Sequence, residues 1–135
     1  MALTLEEKTR LCVLAADSKK ANDIVVLDVQ PLSSVTDRFL ICNGASDRQI
    51  KAIVDAITEE LTKRGEKPLA IEGYQQGTWV LIDYADLILH IFDEDTRQFY
   101  NLERLWHQAA RLEVAGLTDT TAPVLDLPSR FVEER

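Results

Sequence analysis

The chain reads as an α/β (α+β) fold, a mixed β-sheet of about five strands with helices packed on it. Three observations lead there. A capped segment from Ser46 to Gly65 carries apolar residues at helical spacing, short apolar runs precede it, and a stretch from Thr78 to Phe92 alternates its side chains about a tight turn. In chain order the elements run helix, two strands, helix, three strands, helix, then a tail. With 135 residues, 46% of them hydrophobic, there is apolar material for one modest core, expected within residues 1–115.

The first helix follows Thr4, whose spacing to Glu7 makes a capping box, and carries Leu11, Leu14 and Ala15 on one face. Residues 24–29, Ile-Val-Val-Leu-Asp-Val, form a near-continuous apolar run ending at Pro31, the pattern of a strand covered on both faces. A shorter run from Phe39 to Cys42 follows the Ser33-Ser34 turn region. Ser46 and Gln49 make a second capping box, after which Ile50, Ile53, Val54, Ile57 and Leu61 line up as one apolar stripe. Lys63, Arg64 and Gly65 close that helix, with Pro68 beyond.

Thr78 to Phe92 is read as a β-hairpin in which Asp83 and Asp86 flank a two-residue turn, Tyr84-Ala85. Pairing outward sets Ile82 opposite Leu87, Leu81 opposite Ile88, Val80 opposite Leu89 and Trp79 opposite His90. One face then holds Val80, Ile82, Leu87, Leu89 and Ile91, for packing on helices. The other holds Trp79, Leu81, Asp83, Asp86, Ile88 and His90, an apolar centre with carboxylates beside it, which suits a binding surface. Two carboxylates facing one another repel, and either a partner's Lys or Arg or simple solvation and turn capping relieves that. Trp79 is likewise open between surface anchor and core residue.

Asn101 is read as the cap of a last helix whose stripe is Leu102, Leu105, Trp106 and Ala109, with Trp106 on the core side. Arg97 and Tyr100 fit either an anchor to the sheet or a partner contact. Residues 116–135 contain two prolines and no clean period, and read as an extended or mobile tail.

Fifteen basic against 23 acidic residues give a net charge of −8 and a pI near 4.7. That balance disfavours direct, sequence-specific nucleic-acid binding and favours basic partners. No apolar run approaches the ~18 residues of a membrane span, and the charged start MALTLEEKTR is not secretory, so a cytoplasmic protein without a membrane partner is expected. Cys12 and Cys42 lie among apolar neighbours and read as reduced, packed thiols. His90 and His107 are the only histidines, and neither is spaced with cysteines as a metal ligand.

Several segments together carry a family resemblance: KKANDIVVLDV, TDRFLIC, GASDRQI, EGYQQGTWVLIDYADLILHIF and RQFYNLERLW, in that order. From Leu5 to about Trp106 the chain resembles the ribosomal silencing factors, the Iojap-like RsfS family. The resemblance implies a translation repressor and not an enzyme. Its partner would be the large ribosomal subunit, bound through ribosomal protein L14 at the face where the small subunit joins, so that free subunits accumulate when nutrients are scarce. No cofactor or metal is implied. On that reading Trp79 and Leu81 are apolar anchors, Asp83, Asp86 and Glu72 meet basic side chains, and Tyr84 and His90 lie at the edges. A homodimer could use the same face. The family usually has Gly where this chain has Ala85, and a positive φ there would strain the turn.

The resemblance also implies a nucleotidyltransferase-like fold, catalytically degenerate. Gly44-Ala45-Ser46, between a strand and a helix, looks like the glycine-serine signature of those enzymes, which makes a nucleotide-dependent enzyme the alternative. Such enzymes hold Mg²⁺ with two or three carboxylates on a following strand, whereas Asp55 lies within the amphipathic helix and Ser46 is explained as its cap. Gly73 and Gly77 lack a Gly-Lys-Ser/Thr ending, and Ser33, Ser34 and Ser129 have no hydrolase motif around them.

Overall fold

The structure, a computed structural model, describes residues 3–113. In chain order it contains α1 (Leu5–Ser18), β1 (Asn22–Asp28), β2 (Arg38–Gly44), α2 (Asp47–Lys63) and β3 (Ala70–Glu72). Then follow β4 (Trp79–Asp83), β5 (Leu87–Asp93), α3 (Glu94–Tyr100), α4 (Leu102–Leu105) and β6 (Ala110–Leu112). The six strands hydrogen-bond in the order β3-β4-β5-β2-β1-β6. β2 and β5 run parallel in the middle, and every other neighbouring pair is antiparallel. The sheet is thus mixed, with six strands among the described residues where about five were expected.

Both capped helices form where their sequences place them. Thr4 and Glu7 close a reciprocal capping box on α1. On α2 the Ser46 hydroxyl accepts the Gln49 N–H at 3.1 Å, but the Gln49 carboxamide accepts from Ala45 at 2.6 Å, so the box is displaced by one residue. The Gln49 amide also donates to the carbonyls of Lys19 and Lys20, tying α2 to the end of α1. Ile50, Ile53, Val54, Ile57 and Leu61 are all buried. On α1, however, Cys12, Val13 and Ala16 make the core face, while Leu11, Leu14 and Ala15 are only half-buried because they border α2 rather than the sheet.

Strand alternation divides the interior in two. Val26, Leu40, Cys42, Val80, Ile82, Leu87, Leu89 and Ile91 join α1 and α2 in the larger core. Val25, Leu27, Val29, Phe39, Ile41 and Phe92 form a smaller one on the opposite face, sealed by Leu102, Trp106 and Ala109. The run of residues 24–29 therefore feeds both faces, as a doubly covered strand must.

The last helix differs from expectation. Asn101 takes a left-handed φ of 47°, ends α3, and makes no side-chain capping bond to α4. α4 is a single turn, so the stripe loses its phase: Leu102, Trp106 and Ala109 reach the smaller core while Leu105 faces solvent, 71% exposed. The chain then turns back, and Ala110–Leu112 pairs with β1 as the sixth strand, which buries Leu112 beside Val26. The tail expected at 116–135 lies outside the described residues.

Candidate binding surface

The hairpin register is two residues away from the one expected. Trp79 pairs with Phe92, Val80 with Ile91, Leu81 with His90, Ile82 with Leu89 and Asp83 with Ile88. The turn is therefore Ala85-Asp86, flanked by Tyr84 and Leu87, with the Tyr84 N–H donating to the Leu87 carbonyl at 2.9 Å. A slip of two preserves the faces, because side chains alternate with period two. It does not preserve the expected juxtaposition of carboxylates.

Asp83 and Asp86 go separate ways. The Asp83 carboxylate accepts the Ala85 N–H at 2.8 Å and so caps the turn, while Ala85 holds a φ of +76° that glycine would adopt without strain. Asp86 pairs with Lys8 of α1 at 2.8 Å, and Lys8 also lies 3.4 Å from Glu66. The cation that two acids in this turn called for thus comes from within the chain, 78 residues away. The backbone carbonyl of Asp86 also accepts from the amides of Asp37 and Arg38, which fastens the turn to the head of β2.

Tyr84 and His90 are not at the edges of an open surface. Tyr84 is buried among the α1 and α2 side of the core, and burial pushes its phenol pKa far up. His90 belongs to the opposite face, 6% exposed, and packs edge-on to Phe39 at 5.0 Å. Its Nδ1 accepts a hydrogen bond from the Trp79 indole N–H at 3.1 Å, which leaves the ring proton on Nε2. Burial lowers its pKa to about 4, so the ring is neutral at physiological pH.

What remains open on this face is a strip over β3, β4 and the start of β5. Trp79, Leu81, Asp83 and Ile88 are half-buried there, and Glu72, paired with Leu81, is exposed. Trp79 stands between its two alternatives: one side packs on Phe92 at 5.0 Å and Tyr100 at 4.6 Å, and the rest reaches solvent. Gly73 sets its position, since with φ +82° a Cβ at residue 73 would collide with the Trp79 carbonyl oxygen. Lys8 and Gly73 have no local sequence signal, because each acts through a contact that only the fold creates. Arg97 is an anchor: buried, it donates to Asn43 Oδ1 at 2.8 Å and to both Glu103 carboxylate oxygens at 3.2 and 2.8 Å.

The residues of the glycine-serine region have structural partners. Ser46 and Gln49 cap α2 as above, and the Asp55 carboxylate accepts the Tyr74 hydroxyl at 3.0 Å, which raises the phenol pKa. Among the described residues no group of three or more His, Cys, Asp or Glu is placed to hold a metal ion. Cys12 and Cys42 are free and fully buried, and burial pushes Cys42 up to about 12 and Cys12 further still. No helix of the described residues is long and apolar enough to cross a membrane.

The family model described as ribosomal silencing factor during starvation, RsfS, matches residues 2–128, well past Trp106, where the sequence motifs end. A ribosomal silencing factor of Halalkalibacterium halodurans is 40% identical over 112 residues, covering 83% of this chain and 96% of that protein. The corresponding factor of Bacillus subtilis is 41% identical over 100 residues, covering 74% and 85%. A crystal structure from Chromobacterium violaceum aligns with a TM-score of 0.76 at 31% identity, over 78% of this chain and 88% of that one.

Proposed function

Because this chain belongs to the ribosomal silencing factor family, we propose that it represses translation by binding the large ribosomal subunit through ribosomal protein L14 and so blocking the small subunit from joining. The mechanism is exclusion and not catalysis. A bound domain of this size need bury only a standard interface of ~1,200 to 2,000 Å² to be held where it overlaps the incoming subunit. The protein would act in the cytoplasm, stoichiometrically, when nutrients are limiting.

The observation that carries this reading is the half-open strip on an acidic molecule. Trp79 and Leu81 supply an apolar centre, Asp83 and Glu72 an acidic border, and the net charge of −8 draws basic ribosomal surfaces toward it. Tyr84 and His90 drop out of the contact because they are buried, and Asp86 because Lys8 already neutralises it. The contact set proposed is therefore Glu72, Trp79, Leu81, Asp83 and Ile88.

Purified protein mixed with separated ribosomal subunits and run on a density gradient tests this directly. The expected result is protein travelling with large subunits and a loss of joined particles. Normal joining at saturating protein would refute it. Asp83→Asn, which keeps an oxygen to cap Ala85, should weaken co-sedimentation several-fold, and Asp83→Lys should abolish it by reversing charge at the contact. Equal binding by all three proteins would remove Asp83 from the interface.

A further inference from the structure

We infer that the cavity beside Trp79 receives a single arginine or lysine side chain from a basic protein partner. This cavity, about 460 Å³, is lined by Thr78, Trp79, Asp95, Thr96, Phe99 and Tyr100. Half of its lining is aromatic and one member is a carboxylate. Tyr100 lies 4.6 Å from Trp79, centroid to centroid, and Phe99 meets Tyr100 edge-on at 5.0 Å.

Its construction is local. Asp93 accepts the Thr96 N–H at 2.7 Å and starts α3, which puts Asp95 and Phe99, four residues apart, on one face of that helix. The Trp79 N–H is already spent on His90, so the indole offers the cavity its ring and not its donor. Phe99 is 79% exposed and Tyr100 49%, a pair of large aromatics left in water beside a third.

Ligand class follows from the charge of those walls. Aromatic faces carry negative electrostatic potential, and with a carboxylate beside them they attract a cation, guanidinium above all because it also stacks. Among the described residues no lysine or arginine lines the cavity, and Asp95 has no ion-pair partner there. A nucleotide would stack as readily, but its phosphates meet Asp95 and a molecule of net charge −8. Trp79 also belongs to the proposed ribosome-facing strip, so this inference rests on the reading of a basic partner and extends the contact onto α3.

The test has two arms. In the first, arginine amide and uncharged citrulline amide are titrated to tens of millimolar while the Trp79 indole N–H resonance is followed, assigned with Trp106→Phe. Arginine amide should shift it saturably, citrulline amide should not, and Phe99→Ala and Asp95→Asn, both surface changes whose folding is checked by melting, should each weaken the effect about ten-fold. In the second, the same two variants should bind large ribosomal subunits about ten-fold more weakly on gradients. Absence of an arginine-selective shift overturns the inference whatever the subunits do. Wild-type protein that ignores large subunits yet shows the shift sinks the ribosomal reading and leaves the cavity. Subunit binding that both variants retain in full sinks the cavity's role and leaves the ribosomal reading.

Discussion

His90 should make this domain acid-sensitive by an amount that can be calculated. In the native state its ring is buried against Phe39 and accepts the Trp79 N–H on Nδ1, so a proton added there would displace that hydrogen bond and create a desolvated charge. The unfolded chain takes up that proton below about 6.5, whereas the native chain does so only near 4. Stability is therefore intact above pH 6.5 and falls as the pH drops through that interval, because the unfolded state binds more protons. The full interval corresponds to about 3 kcal/mol, and about 2 kcal/mol is already lost at pH 5. Urea unfolding at pH 7.5 and pH 5.0 measures this, with His90→Phe as the control that keeps an aromatic ring among Phe39, Phe92 and Trp79. Carboxylates titrate in both proteins, so the difference isolates the imidazole. Wild type should lose about 2 kcal/mol more than the variant between the two pH values. Equal losses would refute the argument, and with it the buried, neutral ring bonded to Trp79.

Three further outcomes follow from the same contacts. Ala85→Gly relieves a φ of +76° and should raise stability by about 0.5–1 kcal/mol, read from urea midpoints, with no change predicted in the hairpin register. Lys8→Met keeps the buried stem but leaves Asp86 and Glu66 without their cation; since Asp86 is about a third exposed and can rehydrate, the loss should be about 1–3 kcal/mol in the same assay, smaller than for a fully buried pair. Cys12 and Cys42 should resist a water-soluble disulfide reagent in the native state and react fully once unfolded, and rapid native labelling would contradict their burial.

Legibility in the sequence tracked the range of the interactions concerned. The stripe of α2 could be read residue by residue because it repeats with the helical period, and its Ser46 cap because that bond reaches only three residues along the chain. The two faces of β4 and β5 could be read as well, since alternation survives a slip of two residues. Their register could not, because bonds from Lys8 and from the amides of Asp37 and Arg38 to Asp86 hold the turn, and no local pattern announces them. The final helix failed for a related reason: residues 102–109 carry apolar side chains at helical spacing, yet Leu112 gains burial only by pairing with β1, some 85 residues earlier in the chain. The candidate surface shows the same division. Trp79, Leu81, Asp83 and Glu72 were visible as a group, while only the fold decides which way Tyr84, His90 and Asp86 are committed.

The sequence by itself determined the layering of this protein, its family and the side of the hairpin that carries polar and aromatic groups together, because periodicity and composition are properties of neighbouring residues. Tertiary structure alone decided which of those groups stay available. Lys8 neutralises Asp86, Phe39 of the smaller core covers His90, and α3 brings Phe99 and Tyr100 to Trp79, each through a contact between segments that are separate in the chain.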